Sequence, residues 1–402
     1  MNFEETPSSR ADDRRQQSEE KGELNVSHWR GDLHAHTGGT IENPATPDEV
    51  LETRRGSNCG HIPLEVLARY HDKEMVNEYL AITEHSRDAS PGIALEGITN
   101  WFLGIRLQDS VWLEENIGKP KAEIPEDVDR VKELIQDDVE LVATYGDERL
   151  QTILNDIEQL SADGMPIKIF KGVEANLLPD GSFDTGMVDK GKFELVNCAI
   201  HPNVDPDGFA EIIQDPEQYT DLVVKGMQHP QTNIMAHIGY GLEPAIVEQL
   251  DWDEIAQAAQ ENKVAIEINL KELMMFIYDE VMDYEKYPKT DTSWRDYLKD
   301  KLPELIPILS SEAIAGRLKK YFSQGLMIAI NTDEHKSKFI DTKTTKDGVL
   351  SGFKERDKRF WIAMKIVERY FNQLFEQTNI SQENILNTYS VEQVEEFFQK
   401  AA

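Results

Sequence analysis

The chain has 402 residues, 42 of them basic and 75 acidic, for a net charge of −33. That length holds one large domain or two ordinary ones with a sizeable core. The charge repels phosphate at long range and so disfavours free association with nucleic acid or an anionic membrane, although a metal cluster can reverse the sign inside a pocket. Cys59 and Cys198 are too few for a disulfide framework or a thiolate metal site, and Cys198 lies in an apolar run where a thiol packs as a small hydrophobe. No apolar run reaches the roughly 18 residues of a membrane span. Residues 1–27 are polar, with charges of both signs and no apolar stretch of a secretory signal. They are expected to be a disordered tail ahead of one domain over 28–402, and the simplest placement is cytoplasmic.

In chain order, Trp29-Arg-Gly-Asp-Leu-His-Ala-His-Thr37 reads as a short strand. It delivers His34 and His36 to one face, because residues two apart on a strand point the same way. Tyr79–Thr83 reads as a buried strand ending in Glu84-His85. Helical spacing then takes over, with stripes at Val128, Val131, Leu134, Ile135, Val139 and Val142 and at Leu150, Ile153, Leu154, Ile157 and Leu160. These stripes mark a helical insertion near 103–165. Ile167–Val173 alternates up to Glu174, Phe193–Ile200 ends at His201, Asn233–Ala236 at His237 and Val264–Ile268 at Asn269. A second helical insertion covers about 271–325. Leu326–Ile330 then leads into Asn-Thr-Asp333-Glu-His335, and the chain closes helically, with Ser390 as an N-cap and Glu392 and Gln393 in the first turn. The insertions either cap the barrel mouth or form an oligomer contact.

Strand-like runs separated by segments long enough for helices predict a parallel α/β architecture. In parallel barrels the active site lies at the carboxyl ends of the strands. Six of the ten histidines fall at such ends: His34, His36, His85, His201, His237 and His335. His28, His61, His71 and His229 lie elsewhere and read as structural.

The segments Asp-Leu-His34-Ala-His36, Ile-Thr-Glu-His85-Ser, Lys-Gly-Val-Glu174, Ala-Ile-His201, Ala-His237, Glu267-Ile-Asn269 and Asn-Thr-Asp333-Glu-His335, in this order, resemble the polymerase-and-histidinol-phosphatase (PHP) superfamily of metal-dependent phosphoesterases. Gly31-Asp-Leu-His, the run from Gly172 to Asp184, and Ile-Leu-Asn-Thr-Tyr-Ser-Val-Glu-Gln393 are most similar to the PHP module of bacterial family X DNA polymerases. No polymerase domain follows, so a free-standing member is expected. The resemblance covers about 28–395 apart from the two insertions. It implies a distorted, TIM-like (β/α)7 barrel with two or three divalent ions, and the mixed imidazole–carboxylate donor set suits Mn, Zn or Fe. It further implies His34, His36, Glu174 and Asp333 as ligands, with Glu174 bridging, His201 and His237 as a second group, and His85 and His335 completing the cluster.

Two departures stand out. The family usually has Asp before the histidine of the second motif, where this chain has Glu84; the extra methylene is expected to shift a loop. A family ligand shortly after the second histidine of the first motif is replaced best by Glu42, which is otherwise a solvated loop carboxylate. Among cations near strand ends, Arg87 is the leading candidate for the substrate phosphate, ahead of Lys271 and Lys336. Glu267 either orients a ligand or pairs inside the barrel.

In such a cluster the metals neutralise phosphate oxygens and acidify a water nucleophile, with Glu174, Asp333, His335 and Arg87 as the catalytic set. The expected activity is hydrolysis of a phosphomonoester of a small metabolite or nucleotide. The alternatives are a nuclease or DNA 3′-end phosphatase, and an inactive interaction module. An amidohydrolase-type barrel would offer a carbamylated lysine as the bridge, where this chain has Glu174.

Overall fold

A computed structural model of the chain describes residues 29–37, 64–73, 77–86, 102–103, 106–124, 131, 139–270, 325–333 and 382–399. The expected tail, the whole 271–324 stretch, Glu42, Arg87, Lys271, His335, Lys336, His28 and His61 lie outside these residues.

Seven strands form one sheet in sequence order: β1 Gly31–Ala35, β2 Tyr79–His85, β3 Lys168–Asn176, β4 Leu195–Ala199, β5 Ile234–Met235, β6 Ala265–Asn269 and β7 Ile328–Asn331. Every neighbouring pair is parallel. All seven fall where the sequence placed them, and the sheet curls into a nearly closed (β/α)7 barrel.

The seam between β7 and β1 is closed by one backbone bond and several side chains where a backbone ladder would run. Asn331 Oδ1 accepts from Leu33 N at 3.0 Å, and Asp333 N donates to the His34 carbonyl at 2.9 Å. Asp32 receives the Thr332 hydroxyl at 2.5 Å. Asn387, from the far end of the sequence, accepts from Ile330 N at 2.6 Å and donates to the Gly31 carbonyl at 3.0 Å. One amide thus supplies the donor and the acceptor that a missing ladder rung would have supplied.

Helices cover the outside. α1 (Leu64–Lys73) joins β1 to β2. α2 (Ser110–Asn116) and α3 (Val139–Ala162) occupy the first expected insertion. α3 packs Leu150 and Leu154 against Val173, Ala175 and Val196. α4 (Pro216–Gln228) starts on Asp215, whose carboxylate accepts from Glu217 N and Gln218 N, with proline at the first position. α5 (Trp252–Asn262) starts in the same way on Asp251 and stops at Lys263, in the left-handed region at φ 55°. Together α4 and α5 bury Cys198, Met235, Leu222, Val223 and Ile255 between helix and sheet. Cys198 is therefore a core residue, as expected.

The β3–β4 connection departs from the expected alternation, since Leu177–Glu194 contains turns and no helix. Pro179 and the left-handed Gly181 and Gly191 break it up. A bridge between Leu177 and Phe183 folds the loop back on itself and presents Asp184 to the barrel.

The barrel floor is apolar. Leu33, Tyr79, Phe170, Leu195, Ile234, Ala265 and Ala329, one from each strand, meet Leu386 and the helix α6 (Val391–Gln399). Phe398 crosses Phe170 edge to face at 5.4 Å. α6 begins with a reciprocal cap in which Ser390 Oγ accepts from Gln393 N at 3.4 Å and Gln393 Oε1 accepts from Ser390 N at 2.9 Å. No helix among the described residues is long and apolar enough to cross a membrane.

Candidate metal centre

The strand period of two carries each inward face from floor to mouth. Phe170 gives way to Glu174, Leu195 to Asn197 and then His201 beyond the strand end, Ala265 to Glu267, and Ala329 to Asn331 and Asp333. Five of the six strand-end histidines converge there with two carboxylates, Glu174 and Asp333.

β1 reaches the mouth through an irregularity, since four of its residues, Asp32 to Ala35, span the three partners Leu80 to Ile82. Such a bulge re-aims side chains, and here the Asp32 carboxylate stabilises it by accepting from His34 N at 3.1 Å. The result sets the His34 and His36 rings 5.2 Å apart. Glu84 is buried and accepts from Thr37 N. Its side chain ties the end of β1 to the end of β2.

Glu174 is the centre of the cluster. Its Oε2 faces His85 Nδ1 at 2.7 Å, His34 Nε2 at 3.4 Å and His36 Nε2 at 3.5 Å. Its Oε1 faces His237 Nε2 at 2.6 Å and His201 Nε2 at 3.5 Å. Asp333 Oδ1 lies 3.3 Å from His36 Nε2 and 3.8 Å from His34 Nε2. One carboxylate therefore divides its two oxygens between two sets of imidazoles. Three overlapping groups have donor atoms close enough to share one ion: His34, His36 and Asp333; His36, His85 and Glu174; and His34, Glu174 and His237.

The donor atoms fit metal ions on two counts. Glu174 Oε2 and His34 Nε2 are fully buried and make no hydrogen bond, although each stands among potential partners. Lone pairs that converge without hydrogen-bond geometry are arranged for a shared cation. The charge balance agrees. Burial opposes a charge on His34, but Glu267, Glu174 and Asp333 outweigh it and hold the imidazole well above its ordinary pKa. Burial likewise opposes ionisation of Glu174, yet His85 and His34 beside it hold it well below the carboxylate range. The buried carboxylates thus favour positive charge beside them.

A layer of partners orients the imidazoles. His34 Nδ1 meets Glu267 Oε1 at 2.7 Å, and Glu267 Oε2 accepts from His237 N at 3.0 Å. Glu267 therefore orients two of the clustered histidines. His201 Nδ1 meets Asn176 Oδ1 at 2.6 Å, and Asn176 Nδ2 donates to Asp184 at 2.7 Å and to Ser86 at 3.2 Å. Burial pushes the His201 pKa down to about 3, which keeps its ring neutral and its lone pair available. Asn269 donates to Asp333 Oδ2 at 2.8 Å. His237 and Asp333 hold left-handed backbone angles, φ 24° and 48°, which are uncommon for residues other than glycine and cluster at functional sites.

Asn176 was legible in principle, because it shares a face with Glu174 two residues earlier. Asp184 closes the run that carries the resemblance, but its contact with Asn176 depends on the β3–β4 loop. Arg149, on a helix face read only as packing, donates from its guanidinium to the His85 carbonyl. Helix α3 comes that close because residue 146 is glycine: a Cβ there would sit 2.6 Å from the Ser86 carbonyl oxygen. His71 is buried and bonded to Asn77, and His229 pairs with Asp189 at 3.3 Å; neither belongs to the cluster.

Fold and site together define a parallel α/β barrel with a buried, multi-histidine candidate metal centre at the carboxyl ends of its strands. No family model matches the chain. Over 254 residues, 63% of the chain, it is 21% identical to the DNA polymerase/3′-5′ exonuclease PolX of Bacillus subtilis (strain 168). The matched segment spans 32% of that protein.

Proposed function

We propose that this chain is a PHP-type metal-dependent phosphoesterase that hydrolyses a phosphomonoester of a small metabolite or nucleotide. The observation that carries the reading is Glu174, whose two oxygens face separate sets of imidazoles at 2.6–3.5 Å. That arrangement suits a carboxylate shared between neighbouring ions. His34, His36, His85, His201, His237, Glu174 and Asp333 would hold two or three Mn, Zn or Fe ions. When bound, these neutralise phosphate oxygens and acidify a water nucleophile.

The chain's own residues set up the rest. Glu267 and Asn176 fix the ring orientations of His34 and His201, and the neutral His201 offers a lone pair in place of a proton. Arg149 brings a cation to the end of β2. His335, Arg87 and Glu42 keep their proposed parts: the first as a further ligand and catalytic group, the second for the phosphate and the third as an additional ligand. A small soluble substrate suits the net charge of −33 better than a nucleic-acid track.

The similarity to a protein named as a DNA polymerase and 3′-5′ exonuclease supports a second reading, a nuclease or 3′-end phosphatase. Manganese-dependent phosphate release from a panel of metabolite monoesters, with single-stranded DNA alongside and Asp333→Ala as the blank, separates the two. Turnover of a monoester that vanishes in the variant supports the phosphatase. DNA degradation without monoester turnover replaces it with the nuclease, and silence from metal-loaded protein on both rejects both.

A further inference from the structure

Beside the histidine cluster stands a residue that the phosphoesterase reading leaves unused. Tyr240 is 55% exposed and is one of two large hydrophobic side chains so exposed among the described residues. Its ring centre lies 5.2 Å from that of His237 and 5.4 Å from that of His201. The interplanar angles are 54° and 83°, so neither imidazole lies parallel on its face. A single exposed aromatic is ordinary on a protein surface. One that borders two candidate ligands at the mouth of a polar cavity is placed where a ligand passes.

The loop carrying it is fixed. Tyr240 stands between Gly239 and Gly241, both left-handed, at φ 91° and 77°. Gly239 N donates to the buried Tyr219 hydroxyl at 3.2 Å, and a Cβ at Gly239 would meet Val247 at 2.9 Å. Tyr240 N donates to the His237 carbonyl at 3.0 Å, and Leu242 N closes a second turn on Gly239 at 3.0 Å. The ring therefore comes from a pinned turn attached directly to a candidate ligand, and little ordering entropy is left to lose when something stacks on it.

We infer that Tyr240 is a specificity residue whose ring stacks on a planar aromatic or heteroaromatic group on the alcohol side of the phosphate ester. The inference rests on the phosphoesterase reading for the position of the phosphate. A phosphate bound at Glu174 and its histidines directs its ester substituent outward, past the His201 and His237 rim. A flat, unsaturated group there covers an aromatic face that water otherwise wets, the mode by which bases stack on protein aromatics.

The test uses full-length, manganese-loaded protein and two non-hydrolysable probes with the same head group, phenylphosphonate and ethylphosphonate, titrated calorimetrically. Wild type is expected to prefer the phenyl probe by about fivefold or more, the lower end of the stacking range. Tyr240→Ala removes the preference by weakening phenylphosphonate alone, with metal content unchanged. Tyr240→Phe and Tyr240→Trp retain it. The inference fails if wild type shows no preference, if neither probe binds, or if the preference survives in Tyr240→Ala. It also fails if that variant loses both probes and metal together, since the tyrosine would then merely prop up His201 and His237. Because the probes are not turned over, these outcomes stand apart from phosphate release, which tests the phosphoesterase reading itself.

Discussion

The floor and the mouth of the barrel are built on the same strands and the same inward-facing positions, yet they obey opposite rules. At the floor, Tyr79, Phe170, Leu195 and Ala329 close over Val394 and Phe398 of the last helix, and burial rewards every contact. Two to six residues further along the same strands, His85, Glu174, Asn197 and Asn331 are just as buried but polar. Burying such groups costs free energy unless each finds a partner or a metal. The floor holds the strands together, and the mouth draws on that stability to keep imidazoles and carboxylates in contact. Left-handed backbone at His237 and Asp333, both at the mouth, fits this division.

The comparison is broken most forcefully at Glu174. Glu174→Gln removes the charge that faces both imidazole sets. The loss in metal affinity and in phosphate release should exceed the roughly 10–100-fold typical of removing a partner that merely orients a ligand. Metal analysis and turnover check this, while the melting temperature of the metal-free protein should change little. Phe398→Ala is the mirror image. It empties part of the floor and should cost about 3–5 kcal/mol in unfolding free energy, with metal stoichiometry intact at temperatures where the variant stays folded. A Phe398→Ala protein that is fully stable but metal-free would show that floor and mouth are not separable in this way.

Asn387→Ala should have the next largest effect. It removes the partner of the Ile330 N–H and of the Gly31 carbonyl at the β7–β1 seam, where this amide stands in for a ladder rung. Two buried unsatisfied backbone groups should cost about 2–4 kcal/mol, seen as a lower urea midpoint. Because the seam also carries Asp333 N to the His34 carbonyl, metal affinity should fall modestly too.

Regular repetition made much of this legible. All seven strands showed as apolar or alternating runs, and their polar ends set out most of the candidate ligands in order. What stayed hidden depends on contacts that no local pattern encodes. Asn387 lies 356 positions from Gly31 and reads in sequence as one more residue of a closing helical segment. The helix-free β3–β4 crossover follows from turn residues between two strands far enough apart to suggest a helix. Arg149 lies beside the apolar stripe of its helix, which drew attention to packing alone. Glu84 is visible in the sequence beside His85, but its grip on Thr37 N needs the register of β1 on β2.

The smallest effect sharpens the comparison through acid. His71, on α1 near the start of β2, and His201, at the mouth, are both pushed down by burial to about 3. In each case the unfolded chain takes up a proton near 6.5 and the folded chain does not. Stability is therefore undiminished above that pH and falls as pH drops towards 3, by at most about 1.4 kcal/mol per pH unit for each histidine. At the floor end, Asn77 Nδ2 donates to His71 Nδ1 at 2.9 Å, a bond that needs the neutral ring. His71→Gln keeps an acceptor without a titrating group, so it should flatten the acid limb of urea stability equally with and without manganese. His201→Gln should flatten it in chelator, but with manganese present it should also lower stability near neutral pH, because the metal binds the deprotonated folded form. A His71→Gln effect that changed with manganese would tie the floor electrostatically to the mouth, which the packing between them does not provide for.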